Sequence, residues 1–343
     1  ERLRAGPMFK RVPWLPYFIP ILAFMAILFV YPLMAGLVTS FKPERLVEIE
    51  IPDGYSIEAR RGRIVEEGGL VAINEESGEQ ILAPETGRVS RGRRLGINYV
   101  FIEYRAWGLD NYSFFFSDPH NLEVLRFTAI DLGVFVTAAA LLVGIPLAYK
   151  LRRPFAGVTT LRAIVTLPMA YAGLIAVTLI FIFFSGSGLF NRFLISIGLI
   201  DEPMRLMGNY VGLLFASVYQ QTPFIFLFLI SAMIGISPSV EEAARTLGAS
   251  PFQVFRKVAV PLIMPAIITV AVLGYIQNYG AFVTAIIAGD PFQNETILIS
   301  AYEAYQRDVN FSRATTIAYI AGATEMIFIM LYVLFLRRYE TGR

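Results

Sequence analysis

Two carboxylates stand inside apolar stretches of this 343-residue chain, Asp131 in RFTAIDLGVFV and Glu325 in AGATEMIFIM. Two polar tracts share similar surroundings: Tyr219, Gln220, Gln221 and Thr222 in one, and Tyr275, Gln277, Asn278 and Tyr279 in the other. An ionisable group in an apolar segment is costly and faces a cavity or a partner by default. Neither carboxylate has a basic residue within a span to pair with, so both are read as facing a water-filled path. Amides and phenols hydrogen-bond a polar solute, and tyrosine faces also hold a cation. A second use is open to the same groups, hydrogen bonding between packed helices. The chemistry indicated is recognition of a passing solute, and its candidates are Asp131, Tyr219, Gln220, Gln221, Tyr275, Asn278, Tyr279 and Glu325.

Bond-making chemistry has little to work with. The chain has no cysteine, which excludes disulfides and thiolate metal sites, and one histidine, His120, which excludes a histidine-based metal cluster and is read as a loop residue. No nucleophile elbow occurs. The four lysines follow Phe9, Phe41, Tyr149 and Arg256, never the glycine of a phosphate-binding loop, so no nucleotide site is expected on this chain. A formal charge of +2 argues against nucleic acid as a partner.

The segments that carry these residues are apolar enough for lipid. Hydrophobic residues make up 56% of the chain, more than a typical soluble protein carries. Six runs stand out: Pro16 to Phe41, Leu125 to Tyr149, Ala163 to Ser185, Tyr210 to Ile236, Leu262 to Ala288 and Thr315 to Leu336. At about 1.5 Å per residue each helix crosses roughly 30 Å of hydrocarbon. With the N-terminus inside, the cytoplasmic flanks hold Arg2, Arg4, Lys10, Arg11, Lys150, Arg152, Arg153, Arg162, Arg245, Arg256, Lys257, Arg337, Arg338 and Arg343. The short outer loops hold only Arg192, Arg205, Arg307 and Arg313. That asymmetry sets both termini in the cytoplasm. The basic start ERLRAGPMFKRVPW lacks a small-residue cleavage site after its apolar run, so no removed signal peptide is expected, and the natural N-terminus is expected to extend further.

Between the fourth and fifth runs lies a polar loop, residues 237–261, SPSVEEAARTLGASPFQVFRKVAVP. Ser239 with Glu242 reads as a capping box, Gly248 as a left-handed stop, and Ser250 with Gln253 as a second box with Pro251 at the first helical position. Glu242-Ala243-Ala244, then Gly248, then Val258-Ala259-Val260-Pro261 resembles the EAA loop of ABC importer permeases, differing only by two valines in its I-x-L-P ending. The resemblance implies a cytoplasmic coupling helix seated on an ATPase subunit through Glu241, Glu242, Ala243, Ala244, Gly248 and Pro261. It extends from Leu125 to the end of the chain, through LFNRFLISIGLIDEP and GDPFQNETILISAYEAYQ. Phe190, Phe193, Leu194 and Ile197 fall at helical spacing, as in a helix lying on protein or at the interface.

Residues 42–124 form one long outer segment. Short β-branched runs punctuated by Gly68-Gly69, Ser77-Gly78, Thr86-Gly87 and Arg91-Gly92 predict a small antiparallel β domain with tight turns. GEQILAPETGRVSRGRRLG also resembles half of a biotinyl or lipoyl domain, but no lysine lies between Lys42 and Lys150 to carry a cofactor.

The expected fold is an all-α polytopic membrane protein with six transmembrane helices of the type I ABC importer permease kind and a small β-rich extracytoplasmic insert between the first two. Its expected domains are 1–41, a cytoplasmic flank and first span; 42–124, the insert; and 125–343, the permease core. The resemblance implies a permease subunit, not an enzyme, in the inner membrane. Its implied partners are membrane lipid, a second permease chain or copy, two ATP-binding subunits with ATP and Mg, and an extracytoplasmic solute-binding protein. EEAARTLGAS and GLIDEP resemble the polyamine, iron and sulfate branches. The two carboxylates point to a polyamine-like cation; the alternatives are a sugar permease and an ion-coupled secondary transporter.

Overall fold

The computed structural model describes residues 15–94, 97–290, 293–307 and 310–341. Arg2, Arg4, Lys10, Arg11 and Arg343, used above for orientation, lie outside the described residues. The chain is mostly helical, with a small β region after the first span. Its contacts define two units. One runs to Phe114 and includes Ala304–Thr316; the other comprises Phe115–Glu303 and the chain from Ile317.

In the first unit, helix α1 (Phe18–Ser40) is apolar along most of its length and exposed from Phe18 to Ala35, and only its end is covered, with Ser40 buried. Seven strands follow: β1 (Glu44–Ile51), β2 (Tyr55–Ile57), β3 (Ile64–Val65), β4 (Leu70–Asn74), β5 (Gln80–Leu82), β6 (Gly87–Arg94) and β7 (Ile97–Arg105). They form two antiparallel sheets, ordered β1-β7-β6-β3 and β2-β4-β5. The sheets share one core of Ile51, Val71, Ala72, Ala83, Val89, Val100 and Ile102. Gly68 and Gly78 take the left-handed φ that their turns require, +76° and +71°. The other two punctuating pairs are not turns, because Gly87 and Gly92 lie within β6. Gly87 is needed for close approach instead: a Cβ there would sit 2.5 Å from the Glu103 carbonyl oxygen on β7. Tyr55 Oη donates to Glu79 at 2.7 Å, and this bond holds the phenol above its ordinary pKa. The strands end at Arg105, and the rest of the expected insert is helical, beginning with α2 (Asp110–Ser117).

The core helices are α3 (Pro119–Leu151), α4 (Val158–Thr166), α5 (Gly173–Phe184), α6 (Leu189–Ser196), α7 (Tyr210–Ile234), α8 (Pro238–Thr246), α9 (Pro251–Leu262), α10 (Met264–Tyr279), α11 (Phe282–Ala288), α12 (Ile297–Gln306) and α13 (Phe311–Thr341). Among the described residues five stretches are long and apolar enough to cross a membrane, and six if the bent pair α9 and α10 is one span. α3 and α7 form the central pair, sharing Ala140, Ala148, Leu151, Ile225, Phe226 and Leu229. Gly144 permits their contact, since a Cβ there would meet Ile225 Cγ2 at 2.6 Å.

Other expectations also need correction. The third run is not one helix from Ala163 to Ser185: α4 tightens into a 3₁₀ turn at Leu167–Ala170, where Pro168 lacks an N–H to continue the ladder, and the helix restarts at Gly173. The fifth run is likewise broken, with a 71° bend between α9 and α10 and a break at Gly280-Ala281 between α10 and α11. His120 is helical, in the first turn of α3 after the Asp118 cap, and its Nε2 lies 2.9 Å from Glu295 Oε2. In α6 only part of the expected stripe is covered: Leu194 is buried with Asn191, while Phe193 and Ile197 are exposed.

Candidate functional site: a polar cleft and a coupling loop

The broken helices open a cleft of about 450 Å³. Gly173, Ser217, Gln220, Gln221, Gln277, Asn278, Gly280 and Thr284 are among its lining residues, which include no charged side chain. The breaks matter because irregular backbone at membrane depth is tolerated where it lines a cavity. Asn278 Nδ2 donates to Gln221 Oε1 and to Thr137 Oγ1, the latter at 3.2 Å, so α10, α7 and α3 meet in one buried triad. Gln220 Nε2 donates to the Gly173 carbonyl at 3.2 Å, and its Oε1 accepts from Thr284 Oγ1 at 2.8 Å. Ser217 Oγ, on a residue only 2% exposed, has no hydrogen-bond partner among the described residues. A buried hydroxyl left unmatched is costly, and here it lines a cavity.

The eight path candidates therefore separate. Gln220, Gln221 and Asn278 meet at the cleft. Tyr219 is exposed and is not among the cleft's lining residues. Tyr275 and Tyr279 pack ring to ring at 5.8 Å, Tyr275 stacks on Phe328, and Glu325 lies near enough to couple electrostatically to both phenols. No ion pair to Glu325 occurs among the described residues. Asp131 is not unpaired as expected: Arg126, about one helical turn earlier, brings Nη1 to 3.7 Å from its Oδ2, in a second hollow of about 470 Å³ with His120 and Glu295. Ser217 and Thr284 line the cleft and Thr137 accepts from its amide Asn278, and sequence reasoning missed all three. Single hydroxyls within apolar runs are ordinary there, and only the break at Gly280 could have pointed to them.

The loop at 237–261 is helix, corner, helix, with Gly248 at φ +85°. The second capping box is present, Ser250 Oγ accepting from Gln253 N–H and Gln253 Oε1 from Ser250 N–H. The first is not. α8 begins at Pro238, whose fixed φ suits the first position, so Ser237 becomes the cap residue and Ser239 Oγ sits 2.8 Å from Ser237 Oγ. Glu242, Ala243 and Gly248 are exposed, and Ala244 and Pro261 are half-buried. Glu241 departs from the expected outward role. It is 1% exposed and turned inward, held by Arg152, by Arg153 at 2.6 Å and by Arg245 at 3.4 Å.

Comparison with known proteins agrees with this architecture. Residues 140–341 match the family described as binding-protein-dependent transport system inner membrane component. The chain is 32% identical over 214 residues to the spermidine/putrescine transport system permease protein PotB of Escherichia coli (strain K12), covering 61% of this chain and 76% of that one. It is also 32% identical over 245 residues to the sn-glycerol-3-phosphate transport system permease protein UgpA of Escherichia coli O6:K15:H31 (strain 536 / UPEC), covering 69% and 80%. Among solved structures, a bacterial ABC transporter involved in the import of the acidic polysaccharide alginate superposes with a TM-score of 0.62 at 17% identity, over 95% of this chain and 96% of that one. That likeness is one of fold.

Proposed function

This chain belongs to the binding-protein-dependent transport system inner membrane components, and from that premise we propose that its cleft between α5, α7, α10 and α11 is the solute site of an ABC importer. The chain itself is a multi-span permease of the inner membrane and not an enzyme. The observation that carries the site is Ser217, a buried hydroxyl without a partner among the described residues, lining an uncharged cleft beside the amides of Gln220, Gln221 and Asn278. A solute supplying a donor or acceptor there satisfies a group that folding leaves unmatched.

The assembly is one such permease with a second permease chain, two ATP-binding subunits that carry ATP and Mg, and an extracytoplasmic solute-binding protein. Glu242, Ala243, Ala244, Gly248 and Pro261 meet the ATPase side. Closure of the ATPases then swings the cleft from outward to inward. Both termini and the loop at 237–261 are cytoplasmic, and residues 42–124 are outside. In support, Arg152, Arg153 and Arg245 converge on Glu241, so the loops at 152–157 and 237–261 share one end of the core. Since the chain has no native cysteine, Ser77→Cys is expected to react with an impermeant maleimide on intact cells and Ser239→Cys only after the membrane is opened. The reverse labelling pattern would overturn this orientation.

For the solute, a polyamine-like cation is the first reading, supported by the similarity to PotB and by Glu325, a carboxylate within a span that makes no ion pair among the described residues. The uncharged cleft favours a second, a neutral hydroxyl-rich solute such as a sugar or polyol. A thermal-shift series on the associated binding protein, with spermidine, putrescine, glycerol 3-phosphate, maltose and alginate oligosaccharides, separates them. Stabilisation by the amines alone is expected. Stabilisation by polyols or sugars without the amines would remove the cation reading and leave the permease assignment intact.

A further inference from the structure

The inward turn of Glu241 assigns it a task that an ATPase contact cannot supply. Both of its carboxylate oxygens are taken by arginines of this chain, Arg152 on one and Arg153 and Arg245 on the other. Arg152 is the C-terminal cap residue of α3, buried, and stacked over the Tyr149 ring at 4.0 Å. Tyr149 in turn meets Phe255 of α9, the second half of the loop, at 4.8 Å between ring centres. Arg162 of α4 closes the group, donating to the Leu151 and Arg152 carbonyls at 2.6 and 3.1 Å. Both halves of the loop are thus fastened to one point, the inner end of α3.

The other end of that regular segment, Thr137–Leu151, meets two amides that line the cleft. Thr137 Oγ1 accepts from Asn278 and Gln221, the two buried amides. Fifteen residues at about 1.5 Å each separate the two ends by roughly 21 Å. The segment lies against α7 through Gly144, where no side chain intervenes. Packed helices shift as bodies between discrete arrangements and do not deform continuously.

We propose that Glu241 and Arg152 are a positioning pair that clamps the coupling loop to α3, so that displacement of the loop is delivered along Thr137–Leu151 to the amides of the solute cleft. Glu241 therefore acts on transport from inside the permease, and the outward face of the loop belongs to Glu242 and its neighbours. The proposal rests on the transport reading above and goes beyond it in naming the residues that carry the motion.

The test needs no knowledge of the solute. Gln277→Cys places a single thiol at the exposed rim of the cleft, and its maleimide labelling rate is measured in the complete complex in lipid nanodiscs, with and without MgATP plus vanadate. With Glu241 and Arg152 intact, nucleotide trapping is expected to change the rate about fivefold or more, the lower range of an allosteric coupling. Glu241→Gln or Arg152→Gln is expected to shrink the change below about twofold, in complexes that retain their ATPase subunits and basal hydrolysis. A full change in both variants would overturn the clamp. No change even with the pair intact would overturn the transport reading of the cleft, which is a different failure. A lone buried charge left by one substitution can block folding. Arg152→Met with Glu241→Met therefore removes both charges together: a reduced change in that complex supports the proposal, and a full change overturns it. Loss of assembly in both single variants and in the double would reassign the group to folding and overturn the proposal.

Discussion

Asn278→Leu is expected to lower uptake about tenfold to a hundredfold, the equivalent of about 1–3 kcal/mol for a buried polar group left unmatched. The substitution roughly keeps volume and removes both donors that Asn278 gives to Gln221 Oε1 and Thr137 Oγ1. Gln221 has little room to find a replacement toward α10, because Gly274 faces it so closely that a Cβ would lie 2.1 Å from Nε2. The unmatched carbonyl must turn into the cleft, where an apolar side chain now also stands. Uptake of the solute identified by the thermal-shift series, normalised to complex that co-purifies with its ATPase subunits, is the measurement. Uptake within about twofold of the unsubstituted protein would mean that these amides serve packing alone, since a packing role tolerates a loss of about 0.6 kcal/mol or less per bond.

The second large effect lies at the other end. Glu242→Lys is expected to reduce solute-stimulated ATP hydrolysis about tenfold, the equivalent of about 1.4 kcal/mol, since reversing a charge at a docked surface turns attraction into repulsion. Glu242 is exposed on α8 beside exposed Ala243, so nothing within the permease absorbs the change. Gly248→Val reaches the same result by a different route. No atom lies within 4 Å of where its Cβ would sit, so there is space, but its φ of +85° penalises a β-branched residue. The left-handed conformation costs about 1–2 kcal/mol for an ordinary L-residue. Asn tolerates that region better, so Gly248→Asn should retain most of the stimulation. Unchanged stimulation in both Glu242→Lys and Gly248→Val would remove this loop from the coupling machinery.

Periodic features were legible in the sequence, and convergent ones were not. Runs of apolar residues placed the spans, and glycine, proline and capping signals placed the loop, because each acts over a few neighbouring residues. The capping box at Ser250 held for that reason. The one at Ser239 failed because a competing local signal, Pro238, set the first helical position. The breaks at Leu167–Ala170 and Gly280 escaped detection because hydropathy continues through them while the backbone does not. The site depended on still longer links. Thr137, Gln221 and Asn278 are separated by scores of residues, as are Arg152 and Glu241, and no spacing rule connects such positions. Asp131 is the converse case, since its partner Arg126 is only about one turn away at the end of the same apolar run and the pairing is local.

The pairing of β1 with β7 has a bearing on how such a chain acquires new parts. Glu44 faces Arg105 directly across the ladder, so the first and last residues of the strand region are partners. Opposed residues in an antiparallel pair lie about 5 Å apart. The strand region, residues 44–105, thus leaves from and returns to one corner, and the path from α1 to α2 closes over nearly the same gap with the region present or cut out. Grafting or excision at that corner would therefore ask little of the flanking chain, because the two ends to be joined already lie side by side.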